Sequence, residues 1–305
     1  MNISVIGAGS IGSLFAGRVA YSGFDVDVVG RKAHIKKIQE KGLTILEQGT
    51  NIVSYFPAKT EYNPTKQNSD AIFVTTKAYD NQTVAESLSN GLNIETPIFL
   101  IQNGMGNEDI FKKVLPENPI YRAVTTEAAE LIQPAVVKHV AFGKTSFGIV
   151  SGKGNGFSSQ VEKILSSSGF QIKETQNIQL KMWYKLLANA AICPLGTILH
   201  SKNGEILKRP SFVRIFNAIL DEGIALATHL LPDEDFSASR DFIKEVINKT
   251  QDNKCSMLQD VERGRRTEID FMNGFIARES RSYGLNAPIN SAITDLIRHL
   301  ERNHH

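Results

Sequence analysis

The chain has 305 residues, 41% of them hydrophobic and 22% charged, with a formal net charge of +2. That length suits roughly two domains rather than one core. The near-neutral balance gives no global pull toward nucleic acid or an anionic membrane, and the local basic runs, 31–37 and Arg263 with Arg265 and Arg266, read first as solvated helix faces.

In chain order, Ile3–Ile6 reads as a buried strand, with neither a basic nor a long apolar leader before it. Ile11, Leu14, Phe15 and Val19 follow at helical spacing. Asp25–Val29, Ala71–Thr75 and Ile98–Ile101 read as further strands, with a helical stretch carrying Val84 and Leu88 between the last two. This rhythm predicts a mostly parallel sheet with helices on both faces, a Rossmann-type doubly wound α/β domain. Ala135–Val150 reads as the antiparallel strands of a hairpin closing that domain, and Ser151–Ser159 as a glycine- and serine-rich turn. Near 177 the pattern becomes helical, so the chain divides into a dinucleotide-binding domain over 1–177 and an all-α domain over 178–305. Within the second domain, helices are expected from Pro210 to about Leu230 and over Ile289–Leu300. Another has Phe242, Ile243, Val246 and Ile247 inward, and a further one follows Glu268 with Phe271, Phe275 and Ile276 inward. The longest apolar stretch, Leu186–Leu199, carries Asn189 and Pro194 and is too short to span a bilayer. The two cysteines, Cys193 and Cys255, form no C-x-x-C pair, which points to a reducing, cytoplasmic setting, and no metal is expected. His304 and His305 are left out of the functional reading.

Residues 7–12 read G-A-G-S-I-G between a strand and a helix. Gly7 permits the tight turn, Gly9 lets backbone approach a pyrophosphate, and Gly12 lets the helix pack on the strand. Ala8, Ser10 and Ile11 complete the loop, and the helix N-terminus offers free N–H groups to phosphate. An acidic residue at the end of the second strand would hold the 2′-hydroxyl of NAD, but Gly30-Arg31-Lys32 stands there instead. A guanidinium grips a 2′-phosphate with two charge-assisted bonds, so NADP(H) is the expected cofactor. Lys77 and Asn103 follow two further strands, where this fold binds ligands, although turn chemistry accounts for either one singly. Gly143-Lys144-Thr145 resembles the tail of a P-loop, but Lys138 stands where the first glycine is required.

Lys185, Asn189 and Cys193 are spaced i, i+4, i+8, on one face of an otherwise apolar helix. Such a stripe faces a ligand, a partner or solvent. Pro194 lacks an N–H, so the Ala190 carbonyl loses its helical partner and a kink is expected there.

Along its length the chain resembles the 2-dehydropantoate 2-reductase, or ketopantoate reductase, family. The resemblance rests on G-A-G-S-I-G, T-K-A around Lys77, Q-N-G-M-G from Gln102 and W-Y-K-L-L-A-N from Trp183. It continues in N-G-E from Asn203, S-M-L-Q-D from Ser256 and R-T-E-I-D-F-M-N-G from Arg266. It implies that Lys185 is a catalytic general acid and contacts substrate. It implies that Asn189, Asn203 and Ser256 hold a keto acid, and that Glu268 is catalytic and lies near the cofactor. Arg31, Lys77, Asn103 and the Ala129 backbone are implied as cofactor contacts. Cys193 departs from the asparagine common in the family. The implied reaction is NADPH-dependent reduction of ketopantoate to pantoate, a step toward pantothenate and coenzyme A. Reduction of another small 2-keto acid and a non-catalytic NADP sensor are the alternatives. The expected partner is a small keto acid, a homodimer is left open, and neither nucleic acid nor membrane is expected.

Overall fold

The computed structural model describes residues 1–65, 68–154 and 156–302; His304 and His305 lie outside them. The chain forms two compact units, one of Met1–Gln102 with Asn107–Ile178, the other of Asn103–Gly106 with the chain from Gln179 on.

In the first unit the strands are β1 (Ile3–Ile6), β2 (Val26–Val29), β3 (Leu43–Glu47), β4 (Thr50–Ser54), β5 (Ala58–Lys59), β6 (Ala71–Val74), β7 (Ile98–Leu100), β8 (Ile120–Thr125), β9 (Ala128–Gln133), β10 (Val136–Ala141), β11 (Lys144–Ser151) and β12 (Gln171–Glu174). Its helices are α1 (Ser10–Tyr21), α2 (Lys32–Lys41), α3 (Asn81–Ser89), α4 (Asn107–Val114) and α5 (Phe157–Ser167). An eight-stranded sheet runs in the order β12-β11-β8-β7-β6-β1-β2-β5. It is parallel from β5 to β8, and β11 pairs antiparallel with β8. The central strands are buried throughout because both faces are covered. Alternation sorts their side chains. Val5, Phe73 and Phe99 join α1 residues such as Phe15 on one face, whereas Ile6, Ile72, Val74 and Leu100 pack with Val84, Leu88 and Phe111 on the other. The rings chain together, with Phe73–Phe99 centroids 5.2 Å apart and Phe99–Tyr121 centroids 4.7 Å apart.

The expectation for Ala135–Val150 needs correction. Those residues do not form one hairpin: β10 belongs to a separate four-stranded sheet ordered β4-β3-β10-β9, and β11 to the main sheet. The strand-rich region also begins earlier, at β8. A polar cluster holds the small sheet. Arg18 on α1 pairs with Glu47 at 2.5 Å, His139 Nδ1 lies 3.2 Å from Glu47 Oε1, and His139 Nε2 lies 2.7 Å from Glu127 Oε2. The turn foreseen over Ser151–Ser159 is shorter than expected, since α5 begins at Phe157.

The second unit is helical: α6 (Ile178–Ile198, which starts in the last residue of the first unit), α7 (Pro210–Leu230), α8 (Ser239–Lys249), α9 (Ser256–Glu262), α10 (Asn273–Ser282) and α11 (Pro288–Arg302). Pro210 at the start of α7 has a fixed φ suited to a first turn. Phe242 does not face inward as expected. It is 43% exposed, with its ring edge on Tyr184 at 5.3 Å, while Ile243 and Ile247, four residues apart, carry the buried face. The helix foreseen after Glu268 begins later: Ile269–Phe271 is a 3-10 turn, and α10 starts at Asn273. Helix α6 continues past Pro194 to Ile198. The Ala190 carbonyl accepts from Asn273 Nδ2 at 3.0 Å, and the same amide reaches Asn290 Oδ1 at 2.9 Å. Asn290 in turn donates to Glu222 Oε2 at 2.7 Å, which links α6, α10, α11 and α7 through buried polar groups. Among the described residues no helix is long and apolar enough to cross a membrane.

Candidate functional site

In the first unit the loop after β1 turns tightly. Gly7 N and Ala8 N both donate to the Val29 carbonyl, at 2.9 and 3.0 Å. Gly7 has φ +114°, and a Cβ there would stand 2.5 Å from Thr76 N, so only glycine fits. A Cβ on Gly12 would strike the Gly7 carbonyl oxygen and the Thr75 hydroxyl. Gly9 differs, since a Cβ there would meet nothing within 4 Å. Its missing side chain leaves open space at the start of α1, where no side chain caps the helix. Uncapped N–H groups beside open backbone fit a pyrophosphate.

The neighbouring strand ends add the remaining groups. Strands β2 and β6 flank β1, so Arg31 and Lys77 follow the carboxyl ends of the two strands beside the glycine loop. Arg31 is exposed, precedes α2, and forms no ion pair among the described residues. Lys77 is half-buried and precedes the 3-10 turn Ala78–Asp80. Ala129 lies on β9, which the Leu131 amide ties to the first residue of α1 by donating to Ser10 Oγ at 3.1 Å. The fold thus gathers Gly7–Gly12, Arg31, Lys77 and Ala129 within one unit.

In the second unit the stripe of α6 organises the polar residues. Asn189 Nδ2 donates to Asn103 Oδ1 at 3.3 Å, so a residue that follows β7 in the chain meets the helical stripe. The segment that carries Asn103 is fixed by the Met105 amide, which donates to the Phe271 carbonyl at 2.9 Å, three residues beyond Glu268. Glu268 itself is buried. Lys185 is partly buried. Desolvation lowers its pKa below that of a free lysine, and the negative charge of an ionised Cys193 would raise it. Further along α6, a Cβ on Gly196 would lie 4.0 Å from Asn203 Oδ1 and 3.5 Å from Cys255 Sγ. Asn203 is buried, its amide donates to Thr250 Oγ1 at 3.0 Å, and its Oδ1 has no protein partner. Ser256 opens α9, directly after Cys255. Thus Lys185, Asn189 with Asn103, Cys193, and Asn203 beside the Cys255–Ser256 step follow one another along α6. Among the described residues no group of three or more His, Cys, Asp or Glu side chains is placed to hold a metal ion.

Sequence reasoning missed Thr250 and Asn273, which hold Asn203 and the Ala190 carbonyl. No local signal marks them, because their partners lie 47 and 83 residues away in the chain.

Comparison with known proteins agrees along the whole chain. The family described as Ketopantoate reductase PanE/ApbA matches residues 3–152, and its C-terminal counterpart matches residues 177–301. A 2-dehydropantoate 2-reductase of Pyrococcus horikoshii is 35% identical, with 98% of this chain and 97% of the relative covered. One of Archaeoglobus fulgidus is 32% identical, with coverage of 98% and 97%. Among solved structures, a PanE/ApbA family ketopantoate reductase from Ralstonia eutropha shares the fold, with a TM-score of 0.91 at 24% identity, covering 100% of this chain and 99% of that one. A D-mandelate dehydrogenase, solved with NADH and anilino(oxo)acetate, superposes with a TM-score of 0.88 at 26% identity, with the same coverage. Two matched family regions spanning most of the sequence, and relatives above 30% identity over nearly its full length, establish that the chain belongs to the ketopantoate reductase family.

Proposed function

We propose that the protein reduces 2-dehydropantoate to pantoate with NADPH, a step toward pantothenate and coenzyme A, in the reducing cytoplasm that its two free thiols suit. The observation that carries the reading is the α6 stripe, an ammonium in a desolvated setting beside an amide already engaged by Asn103. NADPH supplies the hydride when bound. Gly7–Gly12 cradle its pyrophosphate on the backbone of the first unit, Arg31 and Lys77 meet its adenosine phosphate, and Ala129 contributes through its backbone. Asn103 meets the nicotinamide half.

Lys185 polarises the keto oxygen through its Nζ, stabilises the charge that develops there, and delivers the proton. Asn189, Asn203 and Ser256 hold the substrate's carboxylate and hydroxyl. The Asn203 Oδ1 without a protein partner is an acceptor suited to that hydroxyl. Glu268, a buried carboxylate of the second unit, would favour the charged form of Lys185.

Cys193 supports a second reading within the same reaction class. A thiol is a weak hydrogen-bond donor, so at an asparagine position it favours a less polar 2-keto acid. The D-mandelate dehydrogenase of like fold, solved with an aryl-bearing oxoacetate, is consistent with that reading. Loss of NADPH absorbance with a panel of 2-keto acids tests both. Ketopantoate as the best substrate upholds the first, a bulkier or less polar keto acid upholds the second, and no turnover with any of them overturns both.

A further inference from the structure

The loop Asn103–Gly106 packs with the second unit, whereas the residues that flank it, Gln102 and Asn107, belong to the first. The loop presents Asn103 Oδ1 to Asn189 Nδ2 at 3.3 Å. Gly104 and Gly106 within it take φ of +78° and +81°. Glycines give such a loop wide backbone freedom, so its own residues do little to hold Asn103 in place.

Buried side chains outside the loop hold it instead. Asn81, the first residue of α3, is fully buried and bridges the two stems. Its Oδ1 accepts from Gln102 Nε2 on one side of the loop, and its Nδ2 donates to Asn107 Oδ1 at 2.8 Å on the other. The same Gln102 amide donates to Thr76 Oγ1 at 3.3 Å, so Thr76 and Asn81, at either end of the segment that carries Lys77, meet one side chain. Arg122 on β8 spans the stems a second time: it donates to the Gln102 carbonyl at 3.1 Å, and its Nε lies 3.6 Å from Glu108 Oε2. Bridges of this kind remove the conformations in which the ends of a loop drift apart. In a buried setting such bonds are strong when complete and costly when half-made. The reduction chemistry described above gives Asn81 no part.

We propose that Asn81 is a positioning residue for hydride transfer: by tying Gln102 to Asn107 it closes the loop and fixes Asn103 where that residue engages Asn189 and the nicotinamide half of the cofactor. Asn81 acts on the reaction through Asn103. The backbone of Gly7–Gly12, which cradles the pyrophosphate, does not depend on the clamp. Loss of the clamp should therefore fall on kcat and leave NADPH affinity almost unchanged, because a small misplacement of a reacting group costs rate before it costs binding. The effect on rate rests on the NADPH-dependent reading above, whereas the clamp itself stands on the hydrogen bonds.

The test joins hydrogen exchange to a double-mutant cycle on the full chain. The Met105 amide, which donates to the Phe271 carbonyl at 2.9 Å, reports on the loop. In Asn81→Leu its exchange should quicken by about tenfold or more, while the amides of β1 and β6 keep parental protection, as a local opening requires. Unchanged protection at Met105, or an equal loss at β1 and β6, overturns the clamp. With ketopantoate and NADPH, Asn81→Leu should lower kcat by about 10–100-fold and leave NADPH affinity by fluorescence near the parent value. In an Asn103→Ala background the same substitution should lower kcat little further, since the residue it positions is gone. Losses that multiply in the double variant, or an unchanged kcat in Asn81→Leu, overturn the positioning role. Gln102→Met opens one stem without burying a charge. It should move Met105 exchange and kcat in the same direction by smaller factors, and it decides the matter if Asn81→Leu does not fold. If the parent reduces no keto acid at all, the functional reading fails, and Met105 exchange still decides the clamp.

Discussion

Asn273 Nδ2 donates to the Ala190 carbonyl at 3.0 Å, and this is the carbonyl that Pro194 leaves without its partner inside α6. A side chain from α10 thus repairs a break that the sequence of α6 creates, in the helix that carries Lys185, Asn189 and Cys193. Asn273→Leu should destabilise the protein by about 1–3 kcal/mol, the cost of leaving a buried acceptor unsatisfied. Pro194→Ala restores a backbone donor to Ala190, so Asn273→Leu should cost less in that background. Urea midpoints over the four-protein cycle measure the coupling, and strict additivity would show that Asn273 does not compensate for the proline.

Arg31 stands exposed at the end of β2, with no ion pair among the described residues. Arg31→Ala should raise the KM for NADPH by about 10–100-fold, the equivalent of one or two charge-assisted hydrogen bonds. The KM for NADH should change little, because NADH lacks the 2′-phosphate. Steady-state kinetics with both cofactors checks this, and equal losses for both would mean that Arg31 acts on something other than that phosphate.

Lys185→Ala should lower kcat by about 10²–10⁴, the usual contribution of a positioned acid, and leave NADPH affinity by fluorescence titration near the parent value. Asn189→Ala should act mainly on the keto-acid KM. Burial lowers the Lys185 pKa, so the activity of the parent should fall at a lower pH than a free lysine at ~10.4 would dictate. Glu268→Gln tests the role proposed for that buried carboxylate: if it favours the ammonium, its removal should move that limb lower still. A pH–rate profile with an unmoved limb in Glu268→Gln would separate the two residues.

Charge on the same lysine opposes folding. Its folded pKa is lowered, so the penalty is present at neutral pH, declines as pH rises through the folded pKa, and is gone above the unfolded value. Lys185→Met should therefore be more stable than the parent at neutral pH, with a gain that shrinks toward high pH. Urea denaturation across that range measures it, and a gain independent of pH would trace to packing alone.

His139 has the opposite sign. Burial disfavours its imidazolium, but hydrogen bonds to Glu127 and Glu47 outweigh that, so its pKa is raised. The stabilisation is fully present below the unfolded value of ~6.5 and is lost as pH rises through the folded pKa. His139→Gln should be less stable than the parent at mildly acid pH, and the difference should narrow in alkali. Denaturation midpoints at both ends of the range check the slope.

The outline of this protein lay in local patterns. The alternation of apolar runs predicted β1, β2, β6 and β7, because strands buried on both faces leave continuous apolar runs in sequence. The glycine loop was legible for the same local reason: φ +114° at Gly7 and the open backbone at Gly9 depend on the residue type at those positions. The start of α7 at Pro210 and the stripe on α6 also needed only spacing. The small sheet was not legible, since β3 pairs with β10 across roughly ninety residues, and short half-exposed strands carry no strong period. Phe242 misled because an aromatic beside Ile243 reads as core, while only the packing of α8 reveals which side faces in. The meeting of Asn103 with Asn189, of Asn203 with Thr250, of Cys193 with Cys255 and of Asn273 with Ala190 was decided by tertiary structure alone. Sequence by itself determined which backbone conformations and which buried faces were available, because those depend on neighbours along the chain. Which distant polar groups satisfy one another depends on how buried donors and acceptors are matched once water is excluded, and that matching exists only in the folded protein.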